Sequence, residues 1–308
     1  MSKTKPIALI TGAAGFVGVH LTSYLSGSHR VVGTKFSNDQ TFSSFLELDV
    51  TKKGQVKAVL FRIKPDVIFH LAGFSNVKQS FGQPELCMQI NYGGTLNLLA
   101  GVKEFCPEAK VLVVGSAEVY GIPDFLPVTE KHPLHGTNPY ALSRIRQESL
   151  LDKFRDLKTY WTRSFNHTGP GQPKGFVVPD FASQVAEIKL GLARPVIRVG
   201  NLQSERDFLD VRDVVRAYAD IIEKGHVRTM YNVCSAKAIK ISYLLDKLIE
   251  LSGVKVDVKV KAELLRKNDV PSYYGSFAKL QKDTGWKPRI KIEKTLADSL
   301  DYWLKTLA

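Results

Sequence analysis

Short apolar runs rich in β-branched residues alternate with longer amphipathic stretches along the first half of the chain. The short runs predict strands, which read IALIT, RVVGT, FLELDV, DVIFHLAG, KVLVVGS and TYWTRSF. The stretches between them predict helices, among them VGVHLTSYL, QVKAVLFRI, PELCMQINYGGTLNLLAGVKEF and the segment that begins NPYALSR. Strands that alternate with helices in this way are typical of a parallel, doubly wound sheet. The pattern therefore predicts an α/β fold.

The pattern changes near residue 166, where loops such as NHTGPGQPKG appear. A helix is predicted from Pro179 to Leu190, and another in the final segment KTLADSLDYWLKTLA. No repeat, low-complexity tract or linker separates the two halves. We therefore expect a sheet domain over residues 1–165 and a smaller α/β lobe over residues 166–308. The lobe is woven onto the sheet, with segments such as 196–235 returning to the first domain.

Charge narrows the range of partners. The 308 residues are 44% hydrophobic and carry a formal net charge of +13, which suits an anionic ligand. The basic residues are scattered, and the sequence has no helix-turn-helix, zinc-finger or RNA-binding aromatic motif, so we expect no nucleic-acid partner. A phosphorylated small molecule is favoured instead.

The cysteines and the first apolar run bear on location. Cys87, Cys106 and Cys234 include no closely spaced pair, which argues against a disulfide framework and a CxxC metal site. We therefore expect no metal and a cytoplasmic protein. The run PIALITGAAGFVG is broken by glycines and too short to span a bilayer, so no membrane association is expected.

A glycine-rich turn stands where the first strand meets the first helix. In ITGAAGFVG, residues 10–18, Gly12, Gly15 and Gly18 allow a tight turn, close approach to a pyrophosphate, and packing of helix against strand. The first helical turn, with Phe16 and Val17, would then offer free N–H groups to the anion. Such a turn is weak evidence alone, but its position in an alternating chain favours a dinucleotide site.

Two further positions bear on the choice of cofactor. The second strand ends at Lys35 without a carboxylate before Asp39, which favours NADP(H), with a 2′-phosphate facing Lys35, over NAD. NAD stays open, because a solvated lysine would explain the same residue. Asp49 and Val50, at the end of the third strand, are expected beside the adenine; the alternative is that Asp49 caps the helix that follows.

The segment NPYALSR, residues 138–144, predicts a helix with a charged pair on one face. Asn138 can cap this helix and Pro139 suits its first position. Tyr140 and Arg144 then lie one turn apart. A free phenol titrates near ~10, and a fixed cation nearby favours its anion. Ser116, which ends the fifth strand, could bind the same substrate oxygen; a chance Tyr–Arg pair is the alternative.

Together these features resemble the extended short-chain dehydrogenase/reductase family. The matching marks, in order, are TGAAGFVG, DV at 49–50, HLAG at 70–73, Asn91 in NYGGT, SAEVYG and the YxxxR helix. The resemblance implies a Rossmann-like fold, with Leu71 and Ala72 among the cofactor contacts. It also implies Ser116 as the hydroxyl that orients substrate and Tyr140 as the general acid.

Arg144 departs from the family pattern, in which this position is nearly always lysine. Arginine keeps the positive charge, but its planar guanidinium does not reproduce the compact donor geometry of lysine. From the sequence we expect cofactor binding to persist with reduced turnover, and lysine at position 144 to raise activity.

The second half resembles the nucleotide-sugar branch of the family, in particular the reductases of GDP-4-dehydro-6-deoxy-D-mannose. The segments concerned include RSFNHTGPGQ, GFVVPDFASQVAEIK, VGNLQSERDFLDVRDVVRAY and LLRKNDVPSYYGSFAKLQKDTGWKP. The resemblance implies a GDP-sugar substrate, contacted by Asn166, Lys189, Arg206, Arg266 and Asp269. Each residue also has an explanation that needs no substrate. Lys189 could lie on a solvent-exposed helix face, Arg206 could form a local ion pair with Asp207, and Asp269 could be a turn residue.

The implied reaction is hydride delivery from NADPH to C4 of a bound 4-keto sugar, with Tyr140 protonating the alkoxide that Ser116 holds. Glu118 is ambiguous, because dehydratases of the family use a carboxylate there as acid or base. Two other interpretations stay open: a dehydratase or epimerase that keeps its cofactor bound, and a weakened homologue that binds NADP and a sugar nucleotide to regulate a partner. A homodimer through the Tyr140 helix and the helix around residues 85–105 is also implied by the resemblance.

Overall fold

The computed structural model of the protein describes residues 5–36, 42–264 and 270–308. The strands are β1 Ile7–Thr11, β2 Arg30–Lys35, β3 Leu46–Glu47, β4 Val67–His70, β5 Lys110–Ser116, β6 Lys158–Ser164, β7 Asn166–Thr168, β8 Val196–Val199, β9 Glu205–Arg206, β10 Phe208–Asp210, β11 Met230–Val233, β12 Ile239–Lys240, β13 Asp257–Val260 and β14 Ser272–Tyr273. The helices are α1 Phe16–Leu25, α2 Lys53–Ile63, α3 Val77–Ser80, α4 Pro84–Met88, α5 Gly94–Phe105, α6 Pro139–Glu148, α7 Leu150–Lys153, α8 Val177–Lys189, α9 Val211–Lys224, α10 Ile241–Ser252, α11 Ala278–Thr284 and α12 Ile292–Leu307. A π-helical segment, Gln89–Gly93, joins α4 to α5, and short 3₁₀ turns cover Ala117–Tyr120 and Ala262–Leu264.

The main sheet is parallel and has seven strands in the order β11-β6-β5-β4-β1-β2-β3. Its central strands are buried on both faces, which is why they read as continuous apolar runs in the sequence. One face packs against α1 and α9, and the other against α2 and α5. The predicted α/β fold, with a doubly wound parallel sheet, is confirmed.

The strand order reverses at β1, which pairs with β2 on one side and with β4 on the other. In such sheets the carboxyl ends of the strands open into a crevice at the point of reversal, and ligands bind there. The glycine-rich turn follows β1, and the HLAG segment continues β4. The fold thus brings these two motifs together at one edge of the sheet.

The C-terminal part forms smaller sheets and an apolar cluster of its own. The pairs are β10 with β7 and β13 with β8, and β9 lies between β12 and β14. Helices α8, α10 and α12 bury an apolar core there. Strand β11 nevertheless pairs with β6, and α9 packs on the main sheet, so part of the second half lies in the first layer. The boundary at residue 165 stays a prediction.

Two predicted elements differ from the structure. The third strand, expected over FLELDV, pairs with β2 only at Leu46–Glu47, because the chain turns away at Asp49. The helix expected over residues 84–105 is interrupted by the π-helical segment, in which Asn91 is fully buried. None of the helices within the described ranges is both long and apolar enough to cross a membrane.

Candidate active site

The glycine-rich turn leaves no room for side chains at two of its glycines. Gly12 has a φ of +72°, and a Cβ there would lie 2.9 Å from the main chain of Ala72. A Cβ on Gly18 would lie 2.6 Å from the Cα of Ala13, where α1 crosses the end of β1. Gly15 donates its N–H to the carbonyl of Gly12 and precedes the first helical residue.

The N-terminus of α1 is open to an anion. Gly15 is the N-cap residue and has no side chain, so it offers no side-chain acceptor to the first N–H groups of the helix, at Phe16 and Val17. A helix N-terminus of this kind, preceded by a close-packed glycine turn, fits a pyrophosphate. The residues present therefore fit the pyrophosphate of a dinucleotide at this turn.

The expected adenine-side residues lie at the end of β2 and just beyond the end of β3. Lys35 ends β2 and its side chain is buried, so it is not a solvated lysine. Asp49 follows β3 rather than ending it, which corrects the sequence prediction. Its carboxylate accepts from the N–H and hydroxyl of Thr51, at 2.9 and 2.7 Å. Val50 is buried and its carbonyl accepts from the Asn97 amide.

A buried histidine connects the glycine turn to the centre of the site. Thr11, the last residue of β1, accepts from the N–H of Ala72 and lies 2.7 Å from Nδ1 of His70. The other ring nitrogen of His70 lies 3.0 Å from the Thr95 hydroxyl on α5. Burial, and then the charge of Arg144, lower the pKa of His70 to about 3. His70 is therefore neutral and serves as a bridge, a role that the sequence did not reveal.

Helix α6 begins as the sequence predicted. The Asn138 side chain accepts from the N–H of Ala141 at 2.8 Å, and Pro139 occupies the first turn. Tyr140 and Arg144 are both less than a tenth exposed. The guanidinium carbon of Arg144 lies 5.3 Å from the centre of the Tyr140 ring, so the cation covers the face of the phenol.

The Arg144 guanidinium is held by oxygen atoms on several sides. One terminal nitrogen donates to the Val114 carbonyl and to the Gln147 amide oxygen, each at 3.0 Å. The other donates to the Phe74 carbonyl at 3.3 Å. The Nε–H is buried and has no partner among the described residues. An unpaired buried donor invites an acceptor from a bound ligand, and this also fits a hydroxyl-bearing cofactor.

Ser116 and Glu118 lie beside the start of α6. Ser116 ends β5, and its hydroxyl accepts from the N–H of Glu118 at 3.2 Å. The half-buried carboxylate of Glu118 accepts from the Asn138 side chain at 3.4 Å. Because Asn138 caps the helix that carries Tyr140, these contacts fix the end of β5 relative to that helix.

The residues expected around the sugar nucleotide are spread over the C-terminal part. Asn166 begins β7 and is exposed, and Lys189 is exposed at the end of α8. Arg206, in β9, donates to the carbonyls of Glu205 and Val270 at 2.7 and 2.6 Å. No contact among Asn166, Lys189 and Arg206 appears within the described ranges. Arg266 and Asp269 lie outside the residues that the structure describes.

Asp207, the alternative partner of Arg206, turns towards main-chain amides instead. Its carboxylate accepts from the N–H groups of Ser235 and Ala236, at 2.7 and 3.0 Å, and more weakly from Gly275. Burial raises its pKa to about 6. Asp207 thus joins the segment before β12 to the segment after β14 through hydrogen bonds.

Strand β7 contacts the start of α1. His167 donates from Nδ1 to the Phe165 carbonyl at 3.0 Å, and burial lowers its pKa. Its ring stacks on Phe16, with centroids 6.2 Å apart and planes within 6°. The first residue of α1 therefore contacts β7, the first strand of the C-terminal part.

Comparison with known proteins gives full-length matches. The family model described as GDP-mannose 4,6 dehydratase matches residues 9–299. The GDP-6-deoxy-D-mannose reductase of Pseudomonas aeruginosa is 35% identical over 299 residues, 96% of each chain. The structure of RMD from Pseudomonas aeruginosa complexed with NADPH has a TM-score of 0.89 and 34% identity, covering 98% of this chain and 100% of that one. A UDP-glucose 4-epimerase from Thermotoga maritima with UDP-glucose has a TM-score of 0.87 and 25% identity, with 98% and 100% covered.

Proposed function

Because the chain belongs to the GDP-mannose 4,6 dehydratase family of nucleotide-sugar enzymes, we propose that it is a reductase of a GDP-4-keto-6-deoxy sugar. Its substrate would be GDP-4-dehydro-6-deoxy-D-mannose, and its product GDP-D-rhamnose or a related 6-deoxy sugar nucleotide. The observation that carries this proposal is the likeness to the GDP-6-deoxy-D-mannose reductase, which extends over 96% of both chains. The reductant would be NADPH, with NADH as the alternative.

The glycine turn would hold the pyrophosphate of this cofactor. Gly12, Gly15 and Gly18 let the main chain approach closely, and the first N–H groups of α1 would bind the phosphate oxygens. Lys35 is proposed to face the 2′-phosphate that distinguishes NADPH from NADH. Asp49, Val50, Leu71 and Ala72 would line the rest of the site. When bound, NADPH supplies the hydride that reduces C4.

Tyr140 would protonate the oxygen that becomes negative as the ketone is reduced. The proton leaves the phenol hydroxyl, and the Arg144 cation lies over the ring that becomes negative. The Ser116 hydroxyl would hold the same oxygen from the end of β5. The product thus gains one hydride at carbon and one proton at oxygen.

The GDP moiety brings two phosphates, which suit a chain of net charge +13. Arg206 and Asn166 are the described residues that we assign to it, together with Lys189 at the end of α8. Arg266 and Asp269 belong to the same proposal. A homodimer through α6 is also proposed, since Leu142 on that helix and Leu86 on α4 are 50% and 41% exposed.

A second candidate is a dehydratase or epimerase that regenerates its own cofactor. The half-buried carboxylate of Glu118, held by Asn138 next to Ser116, is the observation that favours it. A carboxylate in that place could remove a proton from a sugar carbon next to a ketone.

Cofactor absorbance separates the candidates. The reductase proposal expects loss of NADPH absorbance with GDP-4-dehydro-6-deoxymannose, and faster loss than with NADH. It also expects no conversion of GDP-mannose without added cofactor. Turnover of GDP-mannose alone, with bound cofactor in the purified protein, would select the second candidate. Absence of cofactor oxidation with the keto sugar, by a protein that binds NADPH, would refute the reductase.

A further inference from the structure

Arg144 occupies a binding site shaped for a guanidinium, which we call the Arg144 socket and define by Gly73, Phe74, Val114 and Gln147. The acceptors are divided between the two terminal nitrogens of the guanidinium. The Val114 carbonyl and the Gln147 amide oxygen accept from one nitrogen, and the Phe74 carbonyl accepts from the other. A planar guanidinium presents donors in diverging directions and can reach all of them. A lysine ammonium is a single compact donor centre, so it would leave buried oxygens unpaired.

Gly73 completes the socket by having no side chain. A Cβ at this position would lie 2.8 Å from a terminal nitrogen of Arg144 and 3.0 Å from the side-chain oxygen of Asn91. The first distance is too short for any stable contact. The guanidinium therefore packs closely against the main chain of Gly73, just beyond β4.

The orientation of the Gln147 side chain in the Arg144 socket is fixed by a hydrogen bond to Thr95. Its amide nitrogen donates to the Thr95 hydroxyl at 2.7 Å, and its side chain is 1% exposed. Thr95 has one proton, which it donates to the Asn91 carbonyl at 2.7 Å. The other partners of Thr95, Gln147 and His70, must then be donors to it. The amide oxygen of Gln147 is consequently forced to face Arg144.

The same reasoning extends to the glycine turn. If His70 donates from Nε2 to Thr95, its Nδ1 must accept from the Thr11 hydroxyl. Thr11 in turn accepts from the N–H of Ala72. A single chain of buried hydrogen bonds thus runs from Thr11, at the end of β1, to the guanidinium, and each bond in it joins one donor to one acceptor.

We propose that Gln147 is a positioning residue for Arg144, and that this active site is built for arginine rather than lysine. The inference rests on the proposed reductase function. It reverses the expectation from the sequence that lysine at position 144 raises turnover. Arg144→Lys is expected to lower kcat, because three fixed acceptors lose their matched donors.

A double-mutant cycle tests whether Gln147 acts through Arg144. Gln147→Met keeps the side-chain length without hydrogen-bonding groups, and is expected to lower kcat about tenfold with little change in KM. Gln147→Glu keeps an acceptor for Arg144 and should recover most of that loss. In the Arg144→Lys background, Gln147→Met should change kcat less than about twofold. Gln184→Met on α8 is the matched control, since its contacts lie at Asp180 and Arg198, and should leave kcat unchanged.

The dissociation constant for NADPH, followed by its fluorescence, provides a second cycle that needs no sugar substrate. If the wild type does not reduce the keto sugar, the proposed function fails, and non-additive NADPH affinities would still support the Gln147 inference. Additive effects in both cycles would show a merely structural role and overturn it. So would an Arg144→Lys variant as active as the wild type. Should Gln147→Met fail to fold, Gln147→Asn replaces it, because its shorter amide cannot reach both Thr95 and Arg144. An Asn effect that is equal with arginine and with lysine at position 144 would count against the proposal, and an effect seen only with arginine there would support it.

Discussion

The Arg163 guanidinium donates to both carboxylate oxygens of Glu148, across 2.9 and 2.7 Å. Arg163 lies in β6 and Glu148 ends α6, so this buried pair fastens the helix that carries Tyr140 to the main sheet. Tyr120 and the Glu130 carbonyl accept from the remaining nitrogen of Arg163. The pair is well hydrogen-bonded, which is the condition under which a buried ion pair is tolerated.

Loss of this pair should destabilise the whole domain. We expect Glu148→Gln to lower the free energy of unfolding by about 3 kcal/mol, because the buried guanidinium loses its counter-charge. Urea denaturation at neutral pH measures the change. Glu108→Gln is the control: it removes an exposed pair with Lys158 of the same 2.7 Å length and should leave the unfolding midpoint unchanged. Equal midpoints for Glu148→Gln and wild type would contradict the assigned role.

The glycine turn makes a prediction about cofactor affinity. Gly18→Ala would place a methyl group 2.6 Å from the Ala13 main chain and push α1 away from the turn. We expect the NADPH dissociation constant to rise at least about tenfold, since the helix N-terminus would no longer meet the phosphates. Gly27→Ala is the matched control, because a Cβ there meets no atom within 4 Å. Fluorescence titration with NADPH compares the two, and equal affinities would remove the turn from the proposed site.

Tyr140 makes a prediction about turnover. Tyr140→Phe removes only the hydroxyl, so we expect kcat to fall by about 10²–10⁴-fold while NADPH affinity is retained. Tyr160→Phe serves as control, since Tyr160 is also buried but belongs to β6. Steady-state kinetics with the keto sugar provide the measurement. An active Tyr140→Phe enzyme would mean that another group supplies the proton.

Asp207 makes a prediction about pH and stability. Burial raises its pKa from 3.8 to about 6, so the folded state binds its proton more tightly than the unfolded state. This contribution to stability is fully present below pH 3.8 and is lost as the pH rises through about 6. The loss amounts to about 3 kcal/mol, from 1.36 kcal/mol per pKa unit.

Urea denaturation between pH 4 and pH 7 tests this assignment. Relative to Asp207→Asn, the wild type should lose stability as the pH rises across the window. The variant is itself expected to be less stable, since its amide group faces the N–H donors of Ala236 and Gly275. The comparison therefore uses the slope with pH, and parallel curves for the two proteins would show that Asp207 titrates normally.

The sequence predicted the sheet well because parallel strands buried on both faces read as unbroken apolar runs. KVLVVGS and IALIT coincide with β5 and β1 for this reason. The glycine turn and the Asn138 cap were also predictable, since each depends on neighbours within a few residues. Local spacing carries that kind of information directly.

The environment of Arg144 was not predictable in the same way. His70, Thr95 and Gln147 meet only because three separate elements converge, and no spacing in the chain links them. The family resemblance identified Arg144 as a departure from the usual lysine and led us to expect reduced activity. It could not show that Gly73 and Gln147 are matched to a guanidinium, because that match depends on distances between side chains that are far apart in sequence.

The π-helical segment between α4 and α5 sets the phase of two helices. An extra residue in a turn rotates everything downstream by about 100° relative to an uninterrupted α-helix. Cys87, before the segment, lies 3.3 Å from Ser143 on α6, whereas Leu98 and Val102, after it, are buried against the main sheet. Deleting one residue there would give an uninterrupted α-helix and rotate one of these two faces away from its neighbour. A single added residue thus lets one continuous helical segment pack against two different neighbours.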